Sequence, residues 1–462
     1  MRKTDFFGDI SFYKKALQIA LPVIGQLLIQ TLITLIDNFM VARLGDVKMS
    51  GVNVSNHLVF VLLIALYALA SAGGIFMAQY SGAKDKDGMQ QAFRFKIVTM
   101  SFIAVISGVL AFTIPEKLMA LMLGENLNAS EIINEGRIYL IIASFAFLPT
   151  AVSSAMSSSF REVGNVKAPL YISITASVVN AFGNYVLIYG NFGVPRLEVA
   201  GAAYATLFAR IFEMIAFIVY AKKTNAPFYV KAVHVFNVKV KLFKDIFKKS
   251  AWLFISEITW VVVETIISAV YNRRGGSEVV AGMASGWAIT EVFFVTYTGI
   301  GVAVTVIIGG LLGGNKIAEA RKKALWLENG SIIVGILNGL IQALSVFVFI
   351  PLFFGALSCE AQTVARHLIW VVSLYMPVWT FQHAQYAVLR AGGDSFSTAW
   401  IETVINLACF LPVLFLVYRF TNFGAVIMYG IVKLSSLVKP LLCANVLKKE
   451  RWLNNLTLAK KD

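Results

Sequence analysis

Residues 49–83 read MSGVNVSNHLVFVLLIALYALASAGGIFMAQYSGA, a run of 35 residues without Asp, Glu, Lys or Arg. A helix of about 20 apolar residues crosses the hydrocarbon core of a bilayer, so this run is long enough to span it. Of the 462 residues, 58% are apolar and 14% are charged, against roughly 25% charged in soluble proteins. The composition indicates a membrane protein with many spans and excludes a soluble globular enzyme, a disordered chain and a disulfide scaffold.

Twelve apolar segments of similar length follow one another along the chain. They cover approximately residues 14–41, 52–82, 92–115, 134–158, 168–190, 199–221, 248–272, 279–312, 324–353, 365–388, 396–418 and 423–446. Each is expected to be a helix, because lipid cannot satisfy free backbone groups. The sequence therefore predicts an all-α membrane protein with twelve transmembrane helices.

Positive charge orients these helices. If both termini are cytoplasmic, 28 of the 40 Lys and Arg residues lie on the cytoplasmic side and nine on the opposite side. This asymmetry is the usual one for membrane proteins, and it predicts a multi-pass protein of the cell (inner) membrane. The net charge of +15 is then mostly a topology signal, and no nucleic-acid partner is expected.

The chain divides into two halves of six spans. The predicted division is an N-terminal bundle of residues 1–221, a basic cytoplasmic linker of residues 222–247 and a C-terminal bundle of residues 248–462. With a shift of 231 residues Arg43 coincides with Arg274, and with a shift of 229 Arg161 coincides with Arg390. Two six-helix bundles related by a parallel repeat are typical of alternating-access transporters.

One candidate cation or proton site lies in the first half. Asp37 falls inside the first span, where a charge is costly and usually functional. Asn180, Asn184 and Thr206 would supply the neutral oxygens that hard cations prefer, which makes Na⁺ at Asp37 one reading. The alternative is that Asp37 only forms hydrogen bonds between helices.

A second candidate site lies in the second half. Glu257, Trp260 and Glu264 share one face of the seventh span, and Glu402 adds an acid in the eleventh. Carboxylates beside a tryptophan suit a large apolar cation, through charge neutralisation and cation–π contact. The alternative is a bundle core with internally paired acids. Arg210 and Glu213 are read as a structural ion pair, whereas Lys433 either pairs with an acid of its own bundle or snorkels.

Several motifs together resemble one family. They are residues 21–26 (LPVIGQ), Asp37, residues 43–45 (RLG), Asn180 with Asn184, residues 201–206 (GAAYAT), Glu257 with Trp260, residues 274–276 (RGG) and residues 389–394 (LRAGGD). This ordered set resembles the multidrug and toxic compound extrusion (MATE) transporters. The resemblance implies a secondary antiporter that exports small organic cations in exchange for Na⁺ or H⁺. No cofactor is expected, and the protein is expected to work as a monomer in the bilayer.

The chain departs from the family pattern at two places. Archaeal-type members carry a carboxylate at the position of Asn184, and several bacterial members carry an acid in span ten, where this chain has Gln382 and His383. Both residues are candidates for substrate or coupling roles, and His383 is read either as a core hydrogen-bonding group or as a proton relay. The coupling ion therefore stays open.

Two rival functions are weighed. A lipid-linked oligosaccharide flippase of the same superfamily would require a basic cavity for pyrophosphate, whereas the predicted cavity is acidic and aromatic. An intramembrane enzyme would require clustered nucleophiles or metal ligands, and the sequence has neither His-Glu-x-x-His nor Cys-x-x-Cys. The sequence favours transport driven by an ion gradient, without enzymatic activity.

Overall fold

The computed structural model describes residues 6–123, 129–355 and 357–458, which form sixteen α-helices and no strand. The helices of the first half are α1 Ile10–Ala42, α2 Asp46–Gly82, α3 Lys86–Thr113, α4 Pro115–Leu123, α5 Ala129–Ser144, α6 Phe147–Glu162, α7 Lys167–Tyr189 and α8 Glu198–Lys223. Those of the second half are α9 Val240–Asn272, α10 Ser277–Gly313, α11 Ile317–Phe354, α12 Cys359–Ala391, α13 Ser395–Ile405, α14 Leu411–Phe420, α15 Ala425–Leu434 and α16 Val438–Lys448.

Each of the twelve predicted spans coincides with one long helix or with two consecutive shorter helices. In the described residues, ten spans are long and apolar enough to cross a membrane, and the pair α5 and α6, bent by 52°, is an eleventh. The remaining predicted span lies within α12, which has 33 residues but is more polar. The prediction of an all-α membrane protein with twelve spans in two related bundles is confirmed.

Short local signals set the helix ends. Asp85 caps α3 by accepting from Gly88 N at 3.0 Å, and Asp394 caps α13 by accepting from Ser397 N at 3.1 Å. The bend between α5 and α6 precedes Pro149, which lies in the first turn of α6, where its missing N–H costs nothing. At the starts of α3 and α13 an aspartate side chain thus satisfies a free backbone N–H.

Backbone geometry repeats between the halves. Lys84 and Asn315, which are 231 residues apart, both adopt a φ of 57°. Gly164 and Gly393, which are 229 residues apart, adopt φ of 87° and 85°. Because residues other than glycine seldom take positive φ, these matched turns show that the weak sequence repeat is also a structural repeat.

The described chain divides into two compact units. The first unit contains Gly25–Met77 and Asp85–Ser250, and the second contains the chain up to Ile24, Ala78–Lys84 and everything from Ala251 onward. The segment before Ile24 therefore packs with the second unit, because Phe12 and Ala16 join the apolar cluster of Val304 and Ile308. The N-terminal bundle is predicted to end at residue 221 and the C-terminal bundle to begin at residue 248. These two limits concern the membrane-embedded helices, and they stay a prediction.

The basic linker packs on α3 within the first unit. Arg94 Nε donates to the carbonyl of His234 at 2.9 Å, and Gln91 Oε1 accepts from Lys239 N at 2.9 Å. The linker also contains a short 3₁₀ turn at Ala232–His234, and its predicted last residues already belong to α9. The linker is consequently an ordered part of the first unit.

A clasp at the end of α2 joins distant parts of the second unit. Gln79 Nε2 donates to the carbonyls of Ala391 (2.7 Å) and Asn454 (3.1 Å), and Gln79 Oε1 accepts from Leu456 N at 2.7 Å. A Cβ at Gly313 would lie 1.8 Å from the carbonyl oxygen of Gln79, so α2 and α10 approach closely only because this residue is glycine. The clasp fixes the last turn of α2, the end of α12 and the segment after α16 together.

Candidate cation-binding sites

The Asp37 cluster lies in the first unit, one to two turns before the end of α1. Asn184 Nδ2, on α7, donates to Asp37 Oδ1 at 2.7 Å. The Asn180 amide nitrogen donates to Asp37 Oδ2 at 2.7 Å, while its oxygen accepts from Thr206 Oγ1 at 3.3 Å. This amide orientation is assigned from its neighbours, because the reverse leaves both ends mismatched. The structure therefore brings together all four residues that the sequence predicts for this site.

Among the described residues, the groups that donate hydrogen bonds to Asp37 are neutral amides. Asn184 is 2% exposed, and its Oδ1 has no hydrogen-bond partner among the described residues. A carboxylate beside a free amide oxygen can hold a proton or a hard monovalent cation, since these ions prefer oxygen ligands. Asp37 is half-buried, so an ion has access to it.

A second series of hydrogen-bonded polar side chains lies in the first unit. Gln26 Nε2 donates to Ser173 Oγ at 3.0 Å, and Ser173 Oγ donates to Glu213 Oε1 at 2.7 Å. Arg210 Nη1 donates to Glu213 Oε2 at 2.9 Å, which confirms the predicted ion pair. Glu213 is consequently neutralised by Arg210, and each of its two oxygens accepts a hydrogen bond. We therefore interpret it as a structural group.

The sequence reading missed a buried ion pair in the same unit. Lys96 is 0% exposed and pairs with Glu162, and it also donates to Ser158 Oγ at 3.0 Å. A Cβ at Gly74 would lie 2.2 Å from Glu162 Oε1, so the pair fits beneath α2 only because that residue is glycine. Gly73 and Gly74 are consecutive residues, and Lys96 lies within the predicted third span. These features are the signal in the sequence that could have revealed the ion pair.

The predicted stripe on α9 borders the core of the second unit. Trp260 is 43% exposed and Ser268 is exposed, while Glu257 and Glu264 are half-buried. The buried face of α9 carries Val263, Ile267, Val270 and Tyr271 instead. The stripe is thus an accessible polar face that includes the exposed Trp260.

Glu402 is held by a lysine that the sequence analysis does not pair with it. Lys439 Nζ donates to Glu402 Oε1 at 2.8 Å and to Asn406 Oδ1 at 2.9 Å. Asn406 Nδ2 donates to Glu402 Oε1 at 3.1 Å, and the Tyr386 hydroxyl donates to Glu402 Oε2 at 2.9 Å. Asn406 begins a π-helical turn at Asn406–Phe410, and such turns are frequent at functional sites.

Glu264 pairs with Lys433, so one of the two predicted alternatives for Lys433 is confirmed. Lys433 lies near the end of α15, just before a 3₁₀ turn at Ser435–Leu437. Its ammonium lies 4.9 Å from the ring centroid of Phe410 and 5.5 Å from that of Tyr429. The alternative of internally paired acids therefore holds for Glu264 and for Glu402.

The candidate residues of span ten lie on α12. The exposed ring of His383 stacks on Tyr297 with centroids 4.4 Å apart, and His383 Nδ1 bonds to the carbonyl of Trp379 at 2.8 Å. Gln382 is 5% exposed and faces the other way. Trp379 Nε1 donates to Ser436 Oγ at 3.1 Å, which ties α12 to the 3₁₀ turn. The structure separates the two adjacent candidates onto different faces of the helix.

The fold and its intramembrane carboxylates define a class of protein, the helical membrane transporters built from two related halves. The family model MatE matches residues 22–186 and 253–419, one match in each half. The chain therefore belongs to the MATE family of transporters.

Curated relatives match over most of their length. The chain is 23% identical to the probable multidrug resistance protein NorM of Thermotoga maritima, over 89% of this chain and 87% of the relative. It is 24% identical to the probable multidrug resistance protein YoeA of Bacillus subtilis, over 87% and 86%. Among solved structures, a MATE protein crystallised in a bent conformation superposes with a TM-score of 0.83 at 17% identity, covering 98% of this chain and 99% of the other. A mutant of the Vibrio cholerae MATE transporter VcmN gives 0.84 at 16% identity, covering 96% and 98%.

Proposed function

We propose that this protein is a secondary active antiporter that exports small organic cations in exchange for Na⁺ or H⁺. Membership of the MATE family supports export, and the names of the NorM and YoeA relatives support drugs as cargo. The observation that carries the coupling half of the proposal is Asp37, which accepts hydrogen bonds from neutral amides among the described residues. Such a carboxylate can exchange a proton or Na⁺ without first losing a fixed counter-charge.

The proposed location and energy source of the protein follow from its charge distribution and its ion coupling. The protein lies in the inner membrane with both termini cytoplasmic, as the distribution of Lys and Arg favours. It works as a monomer, uses no cofactor and catalyses no covalent reaction. The energy comes from the ion gradient alone.

The lipid-linked oligosaccharide flippase is the second candidate, since Lys433 and Lys439 place positive charge inside the second unit. Each lysine is already neutralised by a glutamate, so neither supplies free charge for a pyrophosphate. Transport of a lipid pyrophosphate by reconstituted protein, without transport of an organic cation, would favour this candidate instead.

The decisive experiment uses Asp37→Asn in reconstituted vesicles. Na⁺ and proton gradients are imposed separately, and efflux of a fluorescent organic cation is followed. We expect the wild type to respond to at least one gradient and Asp37→Asn to respond to neither, because an amide carries no exchangeable charge. Asp46→Asn, an exposed acid four residues beyond the end of α1, is the matched control and should transport normally. Normal gradient-driven efflux by Asp37→Asn would show that Asp37 only forms hydrogen bonds between helices.

A further inference from the structure

The environment of Lys433 has the composition of a cation-binding cage. Its ammonium lies against the Glu264 carboxylate and near the rings of Phe410 and Tyr429. A carboxylate combined with aromatic rings is the arrangement that proteins use to bind organic ammonium groups. Here the chain's own ammonium fills it.

Lys433 is held more loosely than the neighbouring Lys439. Lys439 Nζ donates to both Glu402 and Asn406, whereas Glu264 is the one acceptor that Lys433 Nζ finds among the described residues. An ammonium has three N–H donors, so two donors of Lys433 stay without a protein acceptor in the described chain. Displacing Lys433 from its site therefore breaks one ion pair and the contacts with the Phe410 and Tyr429 rings, but no wider hydrogen-bond network.

Two buried hydroxyls beside Glu264 also lack partners. Tyr271 and Tyr429 are 1% and 0% exposed, and neither hydroxyl has a hydrogen-bond partner among the described residues. Their rings form an edge-to-face pair with centroids 5.7 Å apart, and the Tyr429 ring also lies 5.5 Å from the Lys433 ammonium. Buried polar groups without partners are rare in folded proteins and mark places where a further molecule can bind.

Glu264 is partly exposed, and a 3₁₀ turn lies next to Lys433. The Glu264 side chain is 24% exposed, whereas that of Lys433 is 6% exposed, so the carboxylate forms the open side of the cage. The 3₁₀ turn at Ser435–Leu437 follows Lys433 almost directly, and short 3₁₀ stretches between α-helices often mark hinges. Lys433 can thus leave Glu264 without disturbing a continuous helix.

We propose that Lys433 is a tethered cation occupying an organic-cation site formed by Glu264, Phe410 and Tyr429, and that a lipophilic organic cation binds there by displacing it. The inference rests on the proposed function and adds a binding residue set and a built-in competitor. The competitor keeps Glu264 neutralised when cargo is absent. It also restricts cargo to cations that replace an ammonium and stack on aromatic rings.

The test measures tetraphenylphosphonium binding to purified protein in detergent, without any ion gradient. Lys433→Gln removes the competitor, and we expect it to bind tetraphenylphosphonium at least tenfold more tightly than the wild type. The double variant E264Q/K433Q lacks the carboxylate as well and should lose that gain. Lys322→Gln is the matched control, because Lys322 also lies over an aromatic ring, 4.9 Å from Trp326, but forms no ion pair among the described residues. Equal or weaker binding by folded Lys433→Gln overturns the proposal.

A second measurement needs no variant. Reductive methylation of the wild-type protein is followed at Lys433 by mass spectrometry, with and without tetraphenylphosphonium. Displacement predicts at least severalfold faster methylation when the cation is present, and an unchanged rate overturns the proposal. Neither readout depends on Asp37 or on a gradient, so failure here is distinguishable from failure of the antiport proposal.

Discussion

Asp37 in the first unit and Glu402 in the second form an instructive pair. Each carboxylate accepts a hydrogen bond from an asparagine amide, Asn184 at 2.7 Å and Asn406 at 3.1 Å. Only Glu402 also meets an ammonium, that of Lys439 at 2.8 Å. The first carboxylate keeps a charge that an external ion can neutralise, whereas the second is neutralised by the chain itself. The position of one lysine thus separates a site suited to ion exchange from a structural pair.

The largest expected effect comes from Lys439→Gln. This substitution removes the ammonium partner of Glu402, so that Glu402, like Asp37, has no lysine beside it. Glu402 and Lys439 are both buried, and removing one partner leaves an uncompensated charge. The loss is about 3–5 kcal/mol in the free energy of unfolding. Thermal denaturation in detergent, followed by intrinsic fluorescence, should show a clearly lower midpoint. The double variant E402Q/K439Q should recover most of the loss, and a Lys439→Gln protein as stable as the wild type would contradict the assignment.

Glu257→Gln extends the comparison to a carboxylate of the second unit that has no ion pair among the described residues. Its charged neighbours are Arg390 and Glu402. If Glu257 contacts cationic cargo, losing its charge costs about 2 kcal/mol, roughly thirtyfold in affinity. Equilibrium binding of tetraphenylphosphonium measures this change, and binding of a neutral substrate should persist. Glu278→Gln, in the first turn of α10, is the control. Unchanged binding would place Glu257 outside the cargo site.

The smallest effect is expected from exchanging the two asparagines for alanine. Asn184→Ala removes a donor and a free oxygen at Asp37, so the apparent affinity for the coupling ion should fall about tenfold, which is about 1.4 kcal/mol. Asn406→Ala should leave that affinity unchanged and cost about 1 kcal/mol of stability. Transport measured against Na⁺ concentration and against pH gives the first quantity, and thermal denaturation gives the second. If both variants shift ion affinity equally, the contrast between the two carboxylates fails.

Spacing along single helices predicted part of the site. Asn180 and Asn184 are four residues apart and therefore share one face of α7, where both amides reach Asp37. The ion pair between Arg210 and Glu213 follows from the same rule. The spans themselves follow from hydropathy, because lipid leaves a helix few alternatives.

Pairings between helices could not be predicted in this way. Lys433 and Glu264 are 169 residues apart, and nothing in a local pattern specifies which acid a lysine will meet. Lys96 contributes to the count of cytoplasmic positive charges, yet it is 0% exposed, because hydropathy records residue type and not burial. The π-helical turn that positions Asn406 depends on packing between α13, α14 and α16 and leaves no mark in the hydrophobic period.

The clasp around Gln79 has a consequence for the order of biosynthesis. Leu456, whose amide binds the Gln79 side chain, follows it by 377 residues. At about 5–20 residues per second, a ribosome reaches Leu456 roughly 20–75 s after Gln79 has been made. For that interval the last turn of α2 lacks the segment that holds it in the finished protein, while the spans between are inserted one after another. The second unit is therefore completed only when translation is nearly over, and a chain that stops before Trp452 lacks Asn454 and Leu456, so its Gln79 side chain keeps only the bond to Ala391.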